Sequence, residues 1–486
     1  MSDELTQETL DPQDWSQLRE LAHRAVDDAL EYLQQCRERK VWQVTPSEIA
    51  AKFQQPLPQQ PQGAERAYED FREWVMPFQM GNTHPRFWGW YMGNGTAFGA
   101  LGDFLASTVN PNMGGGNHVG NLVENQVLDW CKEIVGLPLT SSGLLVSGAS
   151  MANLVALAVA RSTAGPIDVR AEGVAALPKP LVFYASSEVH SCIQKAVELL
   201  GHGARSLHKV NTDDRFRMDL AALAAAIAAD RAAGLQPCAV IGSAGTINTG
   251  SVDDLAGIAK ICACEQLWFH VDGAIGAVVA LSTKHRELVA GMEQADSVAL
   301  DLHKWLHLPF EAGCVVVRDR KAHRAAFSLT PEYLAHAQRG LASGTDWFSE
   351  YGVQLSRGFR ALKVWLSFKE HGLRKYARLM EQNVAQAHRL AELVRAAPEL
   401  ELMAPVVLNI VCFRYRGKGG TQAQLNALNE EVLIRLHERG LVAPSYTTLA
   451  GNYCLRAAIV NHRTRTEDLG MLVDEALRAG RSVAGA

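Results

Sequence analysis

The chain has 486 residues, 48% of them hydrophobic and 20% charged, with a formal net charge of −5. That length allows two or three structural units around a large core, and the composition is ordinary for a soluble globular protein. The mild acidity gives no footing for nucleic-acid or membrane-surface binding, and no apolar run reaches transmembrane length. The opening Met-Ser-Asp-Glu-Leu-Thr-Gln-Glu is acidic and unlike a signal or transit peptide. Nine cysteines, several inside apolar runs (Cys238, Cys314, Cys412), fit buried thiols in a reducing, cytoplasmic setting. Cys262 and Cys264 lack the further ligands a metal site needs, so no metal is expected.

Three sections follow in chain order. Residues 1–85 read as a helical N-terminal layer. Asp11 and Pro12 suit a helix start, and Trp15, Leu18, Leu21, Ala22, Ala25, Val26, Ala29, Leu30 and Leu33 recur on one face. A Pro/Gln-rich stretch separates this from a second amphipathic piece, Ala64–Met76. An apolar stripe with so little core of its own needs a cover, which makes this layer a candidate for dimerisation.

Residues 86–362 alternate short apolar strands with helices, the pattern of an α/β domain with a mainly parallel sheet. Strands are predicted at Leu144–Val146, Leu181–Tyr184, Ala239–Gly242, Leu267–Val271, Ser297–Leu300 and Gly313–Val317. Helices are predicted at Met151–Arg161, Val189–Leu200 and Leu220–Ala233. Residues 363–486 read as a smaller α+β domain, with strands Val406–Tyr415 and Tyr453–Val460 and helices Gln422–Arg439 and Glu467–Ala479. Thr421 and Thr466 are the expected N-caps, and Gly440 and Gly480 the expected stops.

The chemistry concentrates at strand ends. Leu267-Trp-Phe-His-Val-Asp-Gly-Ala274 and Ser297-Val-Ala-Leu-Asp-Leu-His-Lys-Trp305 place Asp272 and Lys304 just beyond two apolar runs. The carboxyl ends of parallel strands face the crevice where open α/β sheets bind ligands. A lysine for a Schiff base and an acid for a pyridine nitrogen are what pyridoxal 5'-phosphate (PLP) requires. Val146-Ser-Gly-Ala-Ser150 joins a strand to an apolar helix, and such a turn offers backbone N–H groups to a phosphate. It lacks both the Walker lysine and the dinucleotide glycine pattern. His190, just past another strand end, is placed to stack on a planar ring.

These residues, with Gly245-Thr246, His84-Pro-Arg-Phe-Trp-Gly-Trp-Tyr91, Leu329-Thr-Pro-Glu-Tyr-Leu334 and Arg357-Gly-Phe-Arg-Ala-Leu-Lys-Val-Trp365, stand in the order of the group II PLP-dependent amino-acid decarboxylases. The chain resembles that family from about Trp15 to near its C-terminus, most of all its aromatic-amino-acid branch. The resemblance implies PLP fold type I, an aspartate-aminotransferase-like architecture, acting as a homodimer on an amino-acid substrate. It implies Lys304 as the Schiff-base lysine, Asp272 on the ring nitrogen, and His190 and Ala274 on the two ring faces. Ala149, Ser150 and His303 would hold the phosphate, Thr246 would lie near the phenolic oxygen, and Tyr333, on a mobile loop Ser328–Gly344, would protonate the α-carbon. Trp90, Tyr91, Gly114 and Ser356 are the substrate-wall candidates.

Two departures from the pattern stand out. Asp301 replaces the asparagine of the aromatic branch near the phosphate, and a carboxylate donates to a phosphate only when protonated. Gly114, in Asn110-Pro-Asn-Met-Gly-Gly-Gly-Asn-His118, replaces an aromatic wall residue that the aromatic branch supplies to the substrate pocket across the dimer. Decarboxylation of an acidic or other non-aromatic amino acid is the alternative, with Arg86 as the candidate cation. An aldehyde synthase or aminotransferase on the same cofactor is another, against which Tyr333 argues.

Overall fold

A computed structural model describes residues 8–329, 337–344 and 347–485. Its strands are β1 (Phe87–Trp88), β2 (Ser142–Val146), β3 (Leu181–Ser186), β4 (Leu207–Val210), β5 (Gln236–Ser243), β6 (Trp268–Asp272), β7 (Ser297–Asp301), β8 (Gly313–Val317), β9 (Leu400–Leu402), β10 (Ile410–Tyr415), β11 (Ala443–Leu449) and β12 (Asn452–Ala458).

Seven of them form one sheet in the order β2-β8-β7-β6-β5-β3-β4. β6 pairs in parallel with β5 and β7, whereas β8 runs antiparallel to both β7 and β2. The sheet is therefore mixed but mainly parallel, as expected, with β8 the strand that runs against its neighbours. A short return from β7 through residues 302–312 leaves no room for the crossover helix that a parallel neighbour requires. β2, β7 and β8 are buried along their whole length, so their central residues are apolar on both faces rather than alternating. The helix Leu255–Glu265 sets Leu255, Ile258 and Cys262 into the core beneath β5 and β6. Truncating Ile258, which is fully buried, would cost about 2–5 kcal/mol.

The second sheet has the order β1-β11-β12-β10-β9. β1, although it precedes the seven-stranded sheet in the chain, pairs in parallel with β11 and so ties the His84–Tyr91 segment to the C-terminal part.

Several local expectations change. The first helix runs Trp15–Gln34 and is capped by Asp14, whose side chain accepts from the Ser16 N–H, so Asp11 and Pro12 stand outside it. None of its residues is buried. Thr421 caps Gln422–Arg439 through a full capping box, and Gly440 ends that helix with a left-handed φ of 69°. The last helix starts at Thr466 with Arg465 as its N-cap and continues to Ala484. Gly480 is not a stop: a Cβ there would lie 2.4 Å from the Tyr415 ring, so glycine lets the helix pack on β10. No helix among the described residues is long and apolar enough to cross a membrane.

Candidate active site

β6 and β7 are parallel neighbours in which Asp272 pairs with Ala299, so both strands deliver their last residues to the same edge of the sheet. A cleft of about 210 Å³ opens there. Its wall includes Gly148, Ala149 and Ser150 from the turn after β2, His190 from beyond β3, and Gly245 and Ile247 from beyond β5. Asp272, Ala274, Asp301, His303 and Lys304 complete the chemical part of the lining. Five separate chain segments converge, as expected where crossover connections bring strand ends to one crevice.

Each side chain is held by identifiable neighbours. Asp272 is 7% exposed and accepts from the Ala274 N–H at 3.2 Å. Burial raises its pKa, opposed chiefly by the charge of Lys304. A buried acid of this kind favours a cation beside it, which a protonated pyridine nitrogen supplies. His190 is the N-cap of Ser191–Leu199, and its Nδ1 accepts from the Cys192 N–H at 3.2 Å. That bond leaves Nε2 as the protonated nitrogen of the neutral ring, and burial lowers the pKa so that the ring stays neutral. The Lys304 Nζ lies 2.8 Å from Asp301 Oδ2. His303 contacts the backbone of Ala312 through Nδ1 and lies against the Phe310 ring at 4.4 Å.

The phosphate-type turn has a steric cause. A Cβ built on Gly313 of β8 would sit 2.5 Å from the Cα of Gly148. Two glycines therefore let β8 and the turn touch, which sets the N-terminus of Ala149–Thr163 against the cleft. That helix is buried on most sides and brings Asn153 under β6. Asn153 Oδ1 accepts from His270 Nε2 at 2.7 Å while its Nδ2 donates to Cys192 Sγ at 3.2 Å. His270 Nδ1 in turn lies 2.8 Å from Ser297 Oγ. This chain locks β6, β7 and the segment after His190 together below Asp272. Burial takes the His270 pKa down to about 3, so the ring is a neutral strut.

Some expected residues are elsewhere. Thr246 lies between Gly245 and Ile247 but is itself buried, its Oγ1 3.1 Å from Thr249 Oγ1 and accepting from the Ser251 N–H. None of the four substrate-wall candidates lines this cleft. Tyr91 is buried edge-on against Trp305, with its hydroxyl 3.1 Å from Asn409 Oδ1. Trp90 is exposed, and its carbonyl accepts from Arg456. Gly114 packs on backbone, since a Cβ there would lie 2.2 Å from the Leu355 oxygen. Ser356 is exposed beside the buried Arg357–Glu124 ion pair. Tyr333 lies outside the described residues.

Three contributors escaped the motif reading. Gly93 is one, because a Cβ there would meet the His303 carbonyl oxygen at 1.5 Å. The glycine pair in Met92-Gly-Asn-Gly95 was its only sequence signal. Arg456 of β12 is another. Its buried guanidinium donates to the carbonyls of Trp90, Ile247 and Asn248, tying the second sheet to the cleft wall. Burial lowers its pKa to about 10. Asn153 is the third, and nothing in an apolar helix marks it out.

An amine, a buried acid, a neutral imidazole and a helix N-terminus around one crevice of a mixed α/β sheet define a PLP-type site. Residues 46–416 match the pyridoxal-dependent decarboxylase conserved domain. The chain is 32% identical over 457 residues to an aromatic-L-amino-acid decarboxylase of Bacillus atrophaeus, covering 93% of each. It is 30% identical to tyrosine decarboxylase 2 of Narcissus pseudonarcissus, covering 95% of this chain and 94% of that one. Among solved structures, Oryza sativa TDC with PLP and tryptamine superposes with a TM-score of 0.89 at 25% identity, covering 98% and 99% of the two chains. The chain belongs to the pyridoxal-dependent decarboxylase family: it is a PLP-dependent amino-acid decarboxylase of fold type I.

Proposed function

We propose that this decarboxylase acts on an aromatic L-amino acid, releasing CO2 and the amine, with Lys304 as the lysine that carries the cofactor. The convergence of Lys304, Asp272, His190 and the Ala149–Ser150 turn on one cleft carries the assignment of roles. PLP, when bound, supplies the sink for the electron pair left behind as CO2 departs. The Ala149 and Ser150 end of the helix binds the phosphate. Asp272 keeps a proton on the ring nitrogen, which maintains the sink. His190 would pack against one face of the ring, with its Nε2–H available to the substrate carboxylate, and Ala274 would pack against the other. Tyr333 returns the proton to the α-carbon.

The aromatic substrate is supported by the two named relatives and by what the cleft lacks. An acidic substrate needs a cation for its distal carboxylate. Arg86 is 4.0 Å from Asp468 and donates to the Arg37 carbonyl, and among the described lining residues Lys304 is the only lysine or arginine. The test is CO2 release from tyrosine, tryptophan and L-DOPA against glutamate and aspartate. At least about a tenfold preference for the aromatic set, equivalent to about 1.4 kcal/mol, is expected. Faster turnover of an acidic substrate would overturn the assignment.

The same reading includes a two-fold homodimer. Phe104 and Val109 on the helix Ala97–Val109, and Val119 and Leu122 on the helix Val119–Val135, are all at least 60% exposed. Both helices pack on Arg360–His371, which places these apolar residues on neighbouring elements. Residues 1–85 would add to this surface, 86–362 would carry the cofactor, and 363–486 would form the smaller unit. Nine free cysteines, eight of them buried, favour a reducing cytoplasm.

A further inference from the structure

Asp301 ends β7, and its carboxylate is 4% exposed. Oδ1 accepts from the Ala149 N–H at 2.7 Å, at the first residue of the helix whose N-terminus faces the cleft. Oδ2 pairs with Lys304 Nζ at 2.8 Å. His303 Nε2 stands 3.8 Å from Oδ1, and a Cβ built on Gly148 would lie 3.5 Å from the same oxygen. One fixed anion of the chain thus engages both donors that a phosphorylated aldehyde needs: the N–H at the helix end and the amine.

We propose that Asp301 is an internal competitor of the cofactor, setting PLP affinity well below what the rest of the site would give. The proposal rests on the reading of this cleft as the PLP site. One N–H cannot serve two anions at full strength, and two like charges in a buried crevice raise each other's cost. Loading PLP therefore requires Asp301 to give up the Ala149 N–H and to release Lys304. The consequence is a cofactor held loosely enough to exchange, in a site otherwise built to retain it. Asparagine at this position would offer the Ala149 N–H only a neutral, weaker acceptor, add an amide donor and remove the ion pair, all in favour of the phosphate, and alanine would leave that N–H free.

The test is PLP titration of the full-length, cofactor-stripped protein, read by the near-visible band of the lysine-bound cofactor, for wild type, Asp301→Asn and Asp301→Ala. Alanine removes the charge without adding a donor, so both variants should bind PLP at least about tenfold more tightly (about 1.4 kcal/mol) and lose it more slowly on dilution. Inorganic phosphate, used as the competing ligand, should block PLP loading of both variants at lower concentration than wild type. Unchanged or weaker PLP binding in the variants would overturn the proposal. So would a gain seen with asparagine alone, which would report the new amide rather than the lost carboxylate, or a gain that phosphate does not share. Wild type that takes up no PLP would instead refute the site assignment itself.

Discussion

Gly93 offers a severe steric test of how the site is built. Its Cα faces the backbone of the His303–Lys304 segment, and a Cβ would meet the His303 oxygen at 1.5 Å and the His303 carbon at 2.7 Å. Ordinary contact begins near 3.4 Å, so Gly93→Ala must push the two backbones apart by roughly 2 Å. Backbone cannot swing aside as a flexible side chain would, and Lys304 is the next residue along. Overpacking of this kind costs about 1–3 kcal/mol in stability. A displacement of about 1 Å at reacting groups costs on the order of 10²-fold in rate. Gly93→Ala should therefore fold with a lowered Tm, lose most of its near-visible cofactor absorbance, and fall at least about 100-fold in kcat/KM for CO2 release. Gly358→Ala, where a Cβ meets nothing within 4 Å, is the control and should retain both. Gly93→Ala with wild-type absorbance and turnover within roughly threefold would refute the claim that this close approach positions Lys304.

Three other outcomes follow from the same account. His323 is fully buried between Ser142 and the Tyr351 carbonyl, and burial lowers its pKa from 6.5 to about 4. The unfolded chain takes up the proton first as pH falls, so the stability this histidine contributes is lost between about pH 6.5 and 4, on the order of 3 kcal/mol in full. Urea midpoints of His323→Gln should be flatter over that window than those of wild type, and an identical slope would contradict it. Asp253, raised by burial to about 6, acts with the opposite sign in both proteins and cancels in the difference. The double variant Phe104→Lys with Leu122→Lys should sediment as a monomer, and an unchanged dimer would place the interface elsewhere. Tyr333→Phe should still release CO2 but yield less amine, with aldehyde and oxygen uptake appearing; an unchanged amine yield would assign the proton to another group.

Asp272 and Lys304 were legible because each follows an apolar run too short for a helix, and because parallel strands deliver their ends to one side. The direction of Gly313–Val317 was not legible: a strand buried on both faces is uniformly apolar whichever way it runs. Ala443–Leu449 was missed for a related reason, as Pro444, Ser445 and the two threonines read as a loop until β1 and β12 flank it. Tyr91 looked like a substrate wall because aromatic side chains near a motif carry no label for core or cleft. Only the partner Asn409, 318 positions away, decides. Gly480 was misread as a helix stop, when it makes room for the Tyr415 ring. Long-range contacts of this kind leave no local periodicity to read.

Borohydride reduction of the PLP-loaded protein, followed by peptide mapping by mass spectrometry, tests the central claim most directly. The account predicts one phosphopyridoxyl adduct, on Lys304, with the near-visible band and CO2 release both absent in Lys304→Ala. An adduct on any other lysine, or cofactor still covalently held by Lys304→Ala, would contradict it.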